Sequence, residues 1–245
     1  MRVRARESER DTAADVGSPY EITMLGAGMD SIAVAYHGYA HTHVDALWHF
    51  AVGGRSYNGF PRSLGAEQGA PALSVLQLKD GVFTRGVLVD VPRLRGVPYL
   101  EPGTAIYPGD LDEWEETTGV KIGSGDAVFI YTGRWPRRAA VGPWSVGEHA
   151  AGLHASAAAW LKDRDVALLG HDAGNEVTPS LVEGVQFPIH QLAIVAMGMP
   201  LVDNCDLEAV AATAARLGRP DFLLTVAPLA IRGGTGSPVN PIATF

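Results

Sequence analysis

The chain has 245 residues, 47% of them hydrophobic and 19% charged, with 29 Gly and 16 Pro, the composition of a turn-rich globular protein and not of a fibre, coiled coil or disordered chain. Its formal charge of −8 argues against a surface that neutralises nucleic-acid phosphates, and no apolar run approaches the ~20 residues of a membrane helix, so a cytoplasmic protein with neither nucleic acid nor membrane as partner is expected. A single cysteine, Cys205, rules out an internal disulfide and a multi-cysteine zinc site, and it reads as a small buried apolar side chain.

Residues 1–18 interleave Arg with acids and Ser and lack the apolar core of a signal peptide, so they are expected to form a flexible, solvated tail before one domain over 19–245. The first strand-like run is SIAVAYH from Ser31, followed by GVLVDV from Gly86. LDEWEETTG reads as a helix with an N-cap at Asp110 and a stop at Gly119. DAVFIYTG from Asp126 is a strand, and HASAAAWLKDRD, from about His154, is an amphipathic helix. DVALLGHD gives another strand, IHQLAIVAMGMP and DLEAVAATAARLG two more helices stopped by glycine, and FLLTVAPLAI a last strand. Strands interspersed with helices indicate an α/β (mixed α+β) layered domain.

The chemistry concentrates in YHGYAHTHVDALWHF, residues 36–50, which hold four of the eight histidines and Asp45. In an extended segment His37, Tyr39, His41, His43 and Asp45 would share one face. Imidazoles and a carboxylate without thiolates suit zinc, manganese or iron(II), and too few ligands to close a tetrahedron leave positions for water and substrate. His49, four residues beyond Asp45, reads as a further ligand or general base. Against each reading stands a bland one: a satisfied core histidine, or packing for Tyr39 and Trp48. His149 and His154 read as surface or capping residues.

Farther along, His171 and Asp172 end a strand where loops commonly carry sites. His190 opens a helix, and Asp203 follows it, as a ligand or as the cap of the next helix. Arg134 could clamp a substrate carboxylate or form a surface ion pair. The glycine-rich IRGGTGSPVNPIATF could form an anion-binding nest, although no P-loop lysine or GxGxxG fingerprint accompanies it.

THVDALWH resembles the signature of the cyclase family of metal-dependent hydrolases, His-x-Gly-Thr-His-x-Asp-x-Pro-x-His; GRSYNGFP, PIHQLAIVAMGMPLVDNCDLEAV and GGTGSPVNPIATF extend the likeness from Tyr36 to Phe245. The resemblance implies a swivelling β/β/α fold, usually dimeric or tetrameric, with one or two zinc or manganese ions. It makes His43 and Asp45 metal ligands, His49 a ligand or acid/base, and His190 with Asp203 the distant half of the site. Three positions depart from the motif: Tyr39 stands in the slot of its first His, His41 in that of Gly, and Leu47 in that of Pro. The first ligand is therefore expected to be His41, with His37 as the alternative if a bulge intervenes. Asp203 stands where a Glu is expected, which favours one metal over two.

The function expected is hydrolysis of an amide carbon–nitrogen bond in a formamide, lactam or cyclic imide by metal-activated water, with Asp45 and His49 in the catalytic roles. Tyr39, Trp48, Arg134 and Asp172 are the candidate contacts to a small, flat substrate. The competitors are a lactonase on the same machinery, an iron(II) oxygenase, and a metal-binding homologue without activity.

Overall fold

The computed structural model describes residues 20–64 and 69–245; the tail expected over 1–18 lies outside them. In chain order the elements are β1 (Tyr20–Gly26), β2 (Met29–Val34), β3 (His43–Asp45), β4 (Val82–Asp90), α1 (Val91–Arg95), β5 (Ala105–Ile106), α2 (Pro108–Thr118), β6 (Ala127–Tyr131) and α3 (Arg134–Val141). There follow β7 (Gly152–Leu153), α4 (Ala157–Asp163), β8 (Leu168–His171), α5 (Pro188–His190, continued by wide π-type turns over Gln191–Met197), β9 (Leu201–Asp203), α6 (Glu208–Leu217), β10 (Asp221–Val226), β11 (Gly236–Pro238) and β12 (Ile242–Thr244).

Eight strands form one mixed sheet in the order β11-β3-β9-β8-β6-β4-β10-β12. Its centre, β9-β8-β6-β4, is parallel, and antiparallel pairs flank it on both sides. Alternation along each central strand divides the core in two. Val87, Val89, Val128, Ile130 and Leu169 face a layer containing Leu111, Trp114, Leu161 and Ile189. Leu88, Ala127, Phe129 and Leu168 face the other way, toward Cys205, Ala211, Phe222 and Leu224. With both faces covered, the parallel strands read as unbroken apolar runs, which is why they stand out in the sequence.

The helices end where glycine permits a left-handed residue: Gly119, Gly198 and Gly218 have φ of 70°, 69° and 65°. One expected cap is displaced. Asp110 lies within the first turn of α2, and its carboxylate accepts from the Tyr107 N–H at 2.7 Å. The helix expected from His154 begins at Ala157. Among the described residues no helix is long and apolar enough to cross a membrane.

Candidate metal centre

The motif does not form the extended row expected of it. Only His43–Asp45 is strand; residues 37–42 are irregular. Gly38 has a φ of 142°, open to glycine and rarely to other residues, and its carbonyl accepts from Asn204 Nδ2. The loop tied down in this way returns His37 to the strand it precedes.

Within β3, His43 and Asp45 project to the same face. Pairing with β9 sets His43 opposite Asp203, which adds the second carboxylate to that face. On the other side β11 sets Gly236 opposite Asp45. A Cβ at Gly236 would lie 2.5 Å from the Val44 carbonyl and 3.0 Å from His37 Cε1, so the close approach needs glycine. The glycine-rich C-terminal stretch thus packs against the strand and the loop that carry the donors. A turn closed by His49 N–H to the Ala46 carbonyl at 2.8 Å brings His49 back beside Asp45.

The result is two donor groups sharing one carboxylate. His37 Nδ1 and His43 Nε2 lie 3.1 and 3.5 Å from Asp45 Oδ1. His49 Nε2 and His190 Nε2 each lie 3.7 Å from Asp45 Oδ2, and His190 Nε2 lies 3.4 Å from Asp203 Oδ2. The sets His37, His43, Asp45 and Asp45, His190, Asp203 each fit within 4.8 Å, a spacing suited to a metal ion. Both Asp45 oxygens are buried without a hydrogen-bond donor, a costly state for a carboxylate that a cation would relieve. The residues present fit a divalent metal, in two overlapping donor groups that share Asp45.

Neighbouring groups set the histidine tautomers. His43 Nδ1 lies 2.9 Å from the His41 carbonyl, which only accepts, so Nδ1 carries the proton and Nε2 presents its lone pair. Glu176, buried, does the same for His190: its Oε1 lies 2.8 Å from Nδ1, and its other oxygen accepts from the N–H groups of Ile189 and His190. Burial by itself would lower the pKa of His190, but Glu176 and Asp203 outweigh it and raise it well above the usual value. The same field attracts any cation. Burial is also the main influence on His49; it prevails over the attraction of Asp45 and brings the pKa down to about 4, so the ring is neutral at pH 7. Asp45 is held below the usual carboxylate range, because His37, His49, His43 and His190 overcome the burial that would raise it.

These groups line a cavity of about 260 Å³ together with Tyr39, Phe50, Gly174 and Phe187. Phe50 and Phe187 meet edge to face, ring centres 5.8 Å apart. Tyr39 fits because residues 147 and 174 are glycines: a Cβ there would lie 3.1 and 3.3 Å from its ring.

Of the residues expected at the site, His43, Asp45, His49, His190, Asp203 and Tyr39 come together, and four others do not. His41 is buried with its ring edge-on to Tyr20, and serves the site through its backbone carbonyl; the irregular loop breaks the alternation that would have aimed its ring inward, and His37 stands there instead. Trp48 is fully buried beneath the Arg62 guanidinium, 4.9 Å from the ring centre. Arg134 is buried as well, donating to Asn204 Oδ1 and to the carbonyls of Asp172 and Tyr39. The Asp172 carboxylate accepts from the Thr132 hydroxyl and the N–H groups of Thr132, Gly133 and Arg134, where α3 begins. Both are spent on structure and line no part of the cavity.

Glu176, Asn175, Phe187 and Thr235 escape sequence reading. Asn175 Nδ2 donates to Asp203, and Thr235 Oγ1 lies 3.0 Å from His37 Nε2. No spacing rule links Glu176 to a histidine fourteen positions away, although GNE in HDAGNEVTPS was the nearest signal. Cys205 is buried, and burial raises its thiol pKa well above the ordinary value, as suits a packing residue.

A family model for cyclases matches residues 13–175. A solved structure of a novel cyclase superposes with a TM-score of 0.80 and 26% identity, over 96% of this chain and 84% of the other. Isatin hydrolase A from Ralstonia solanacearum superposes at 0.63 with 19% identity, over 93% and 81% of the two chains. An isatin hydrolase bound to the product analogue thioisatinate gives 0.63 and 19%, over 91% and 80%. No curated protein matches. The family match spans the His43–Asp45 strand as well as Glu176's neighbour Asn175, and the architecture agrees across nearly the whole chain: this protein belongs to the cyclase family and has its mixed α/β fold.

Proposed function

We propose that the protein is a metal-dependent hydrolase that opens an amide carbon–nitrogen bond in a small, flat substrate such as an aryl formamide, lactam or cyclic imide. The observation that carries this reading is the pair of donor groups sharing Asp45 at one wall of an aromatic-lined cavity. Family membership supports it, and so does the likeness in fold to isatin hydrolases.

His37, His43 and Asp45 would hold one ion, and Asp45, His190 and Asp203, with His49 beside them, a second. The imidazole and carboxylate donors match zinc or manganese. When bound, such an ion supplies Lewis acidity, which lowers the pKa of water and polarises a carbonyl. Asp45 holds the two donor groups in register through its two oxygens. His49, neutral and partly exposed at the cavity, is placed to take a proton from water and return it to the departing nitrogen. Phe50, Phe187 and Tyr39 receive a planar ring and exclude water from around it. Among the described residues neither Lys nor Arg lines the cavity, and its aromatic side chains favour recognition by shape and aromatic contact.

The test is metal analysis of purified protein with a hydrolysis screen over N-formyl aryl amines, isatin-like lactams, cyclic imides and lactones, before and after chelation. The expected result is turnover of an amide that chelation abolishes and zinc or manganese restores. Turnover confined to lactones would replace the amide assignment. Full activity of metal-free protein, or bound metal without turnover of any member, would overturn the reading.

A further inference from the structure

Tyr39 stands in the slot of the motif's first histidine, and His37 supplies the donor beside Asp45 Oδ1 instead. Released from ligation, Tyr39 is still held firmly in the cavity. The buried Arg134 donates from Nη2 to its carbonyl at 2.7 Å, and the guanidinium carbon lies 5.8 Å from its ring centre. Arg134 also donates to Asn204 Oδ1, and Asn204 ties down the carbonyl of the preceding Gly38. The backbone on both sides of the Tyr39 amide is therefore fixed, and the ring enters the space that Gly147 and Gly174 leave open.

The direction of the hydroxyl follows from the same contacts. Its oxygen lies 3.5 Å from where a Cβ of Gly174 would sit. The next residue, Asn175, donates to Asp203, so the hydroxyl belongs to the Asp203 side of the cavity. The Asp203 and Glu176 carboxylates are near enough to act on it electrostatically. Yet it makes no hydrogen bond among the described residues. The other two aromatic side chains that line the cavity, Phe50 and Phe187, carry no polar atom, and a phenylalanine at 39 would fill the space equally well. Apart from imidazole N–H groups, the Tyr39 O–H is the only side-chain donor among the described lining residues. A phenol keeps its proton at neutral pH and can donate it.

We propose that the Tyr39 hydroxyl is a catalytic donor, hydrogen-bonding the substrate's carbonyl oxygen most strongly when that oxygen becomes an oxyanion. The assignment rests on the hydrolysis proposed above. As the water oxygen bonds to the carbonyl carbon, the C=O π pair moves onto oxygen and His49 takes the water proton. The pair then returns to C=O as the C–N bond breaks, and the nitrogen leaves with its bonding pair and the proton from His49. Full charge on the oxygen exists only between these events, so a donor aimed at it raises kcat more than it tightens substrate binding.

The test compares wild type with Tyr39→Phe, each loaded with zinc, on whichever amide or lactone the hydrolysis screen yields. The variant should lose roughly 100-fold in kcat, the usual effect of removing one oxyanion donor, with KM little changed and the same zinc content. Adding zinc to the metal-free wild type should produce no tyrosinate absorbance in the ultraviolet. Should Tyr39→Phe fail to fold by circular dichroism, para-fluorophenylalanine placed at the same position fills the space without a donor and should lose kcat alike. An unchanged kcat in a folded variant would overturn the proposal and leave the hydrolase reading standing. Loss of zinc from the variant, or tyrosinate absorbance on adding zinc to the wild type, would overturn it by making Tyr39 a ligand. A wild type that hydrolyses no amide or lactone would overturn both readings together.

Discussion

Asp45 concentrates the chemistry of this site at a single residue: one buried carboxylate faces four imidazoles. Which imidazole supplies the first donor is a matter of loop geometry. His37→Ala should therefore lose metal from the group around Asp45 Oδ1, whereas His41→Gln should keep it, since the His41 contribution is a backbone carbonyl. Elemental analysis of the two folded variants checks this, and metal lost with His41 but kept without His37 would reverse the assignment. Glu176 acts through His190. Glu176→Gln should reduce metal affinity by roughly 10- to 100-fold, the usual effect of altering a ligand's hydrogen-bond partner, measured by competition with a chromophoric chelator; an unchanged affinity would reduce Glu176 to a packing role. His43, Asp45, His49, His190 and Asp203 are legible in the sequence because close spacing or a motif singles them out. His37 over His41 is not, because the choice depends on the Gly38 backbone and on a hydrogen bond from Asn204, far away in the chain.

Among the elements, α2 and α4 are joined by a buried carboxylate. Burial alone would raise the pKa of Glu115, but hydrogen bonds from Arg164, the Ile122 N–H and Lys121 outweigh it and hold it at about 2. Because the folded pKa lies below the unfolded one, the contribution is complete above the ordinary glutamate value of 4.5 and is lost as pH falls toward 2. Glu115→Gln should cost about 2 kcal/mol at pH 7 and progressively less in that acid window; urea titrations across pH would show the gap closing, and a constant gap would argue against the ion pairs. The end of α5 is similarly specific. Gly198 combines a φ of 69° with the Tyr57 ring, 2.4 Å from where a Cβ would sit, so Gly198→Ala should cost at least ~1 kcal/mol, read from the urea midpoint. A glycine stop could be read from sequence; the tyrosine lying against it could not.

For the molecule as a whole, the metal centre lies where three separated segments meet, around residues 37–49, 174–203 and 235–236. An ion held there binds only the folded chain, so saturating zinc or manganese should raise the melting temperature by several degrees, as a ligand well above its dissociation constant contributes about 2.7 kcal/mol or more. Differential scanning fluorimetry with and without chelator tests this; no shift on adding either metal would contradict the donor assignment.

The sequence by itself determined the layered α/β class, the central strands, the glycine helix stops and five of the site's side chains. The class, the strands, the stops and the grouping of His43, Asp45 and His49 follow from local periodicity, turn chemistry and short-range spacing, each confined to a few neighbouring residues, whereas His190 and Asp203 are named by the resemblance to the family. Only the tertiary structure decided that His37 displaces His41, that Glu176 orients His190, that Arg134 and Asp172 are spent internally, and that the first hairpin stands apart from the sheet. Those outcomes depend on strand register and on contacts between residues 14 to 200 positions apart, and no local pattern encodes such distances.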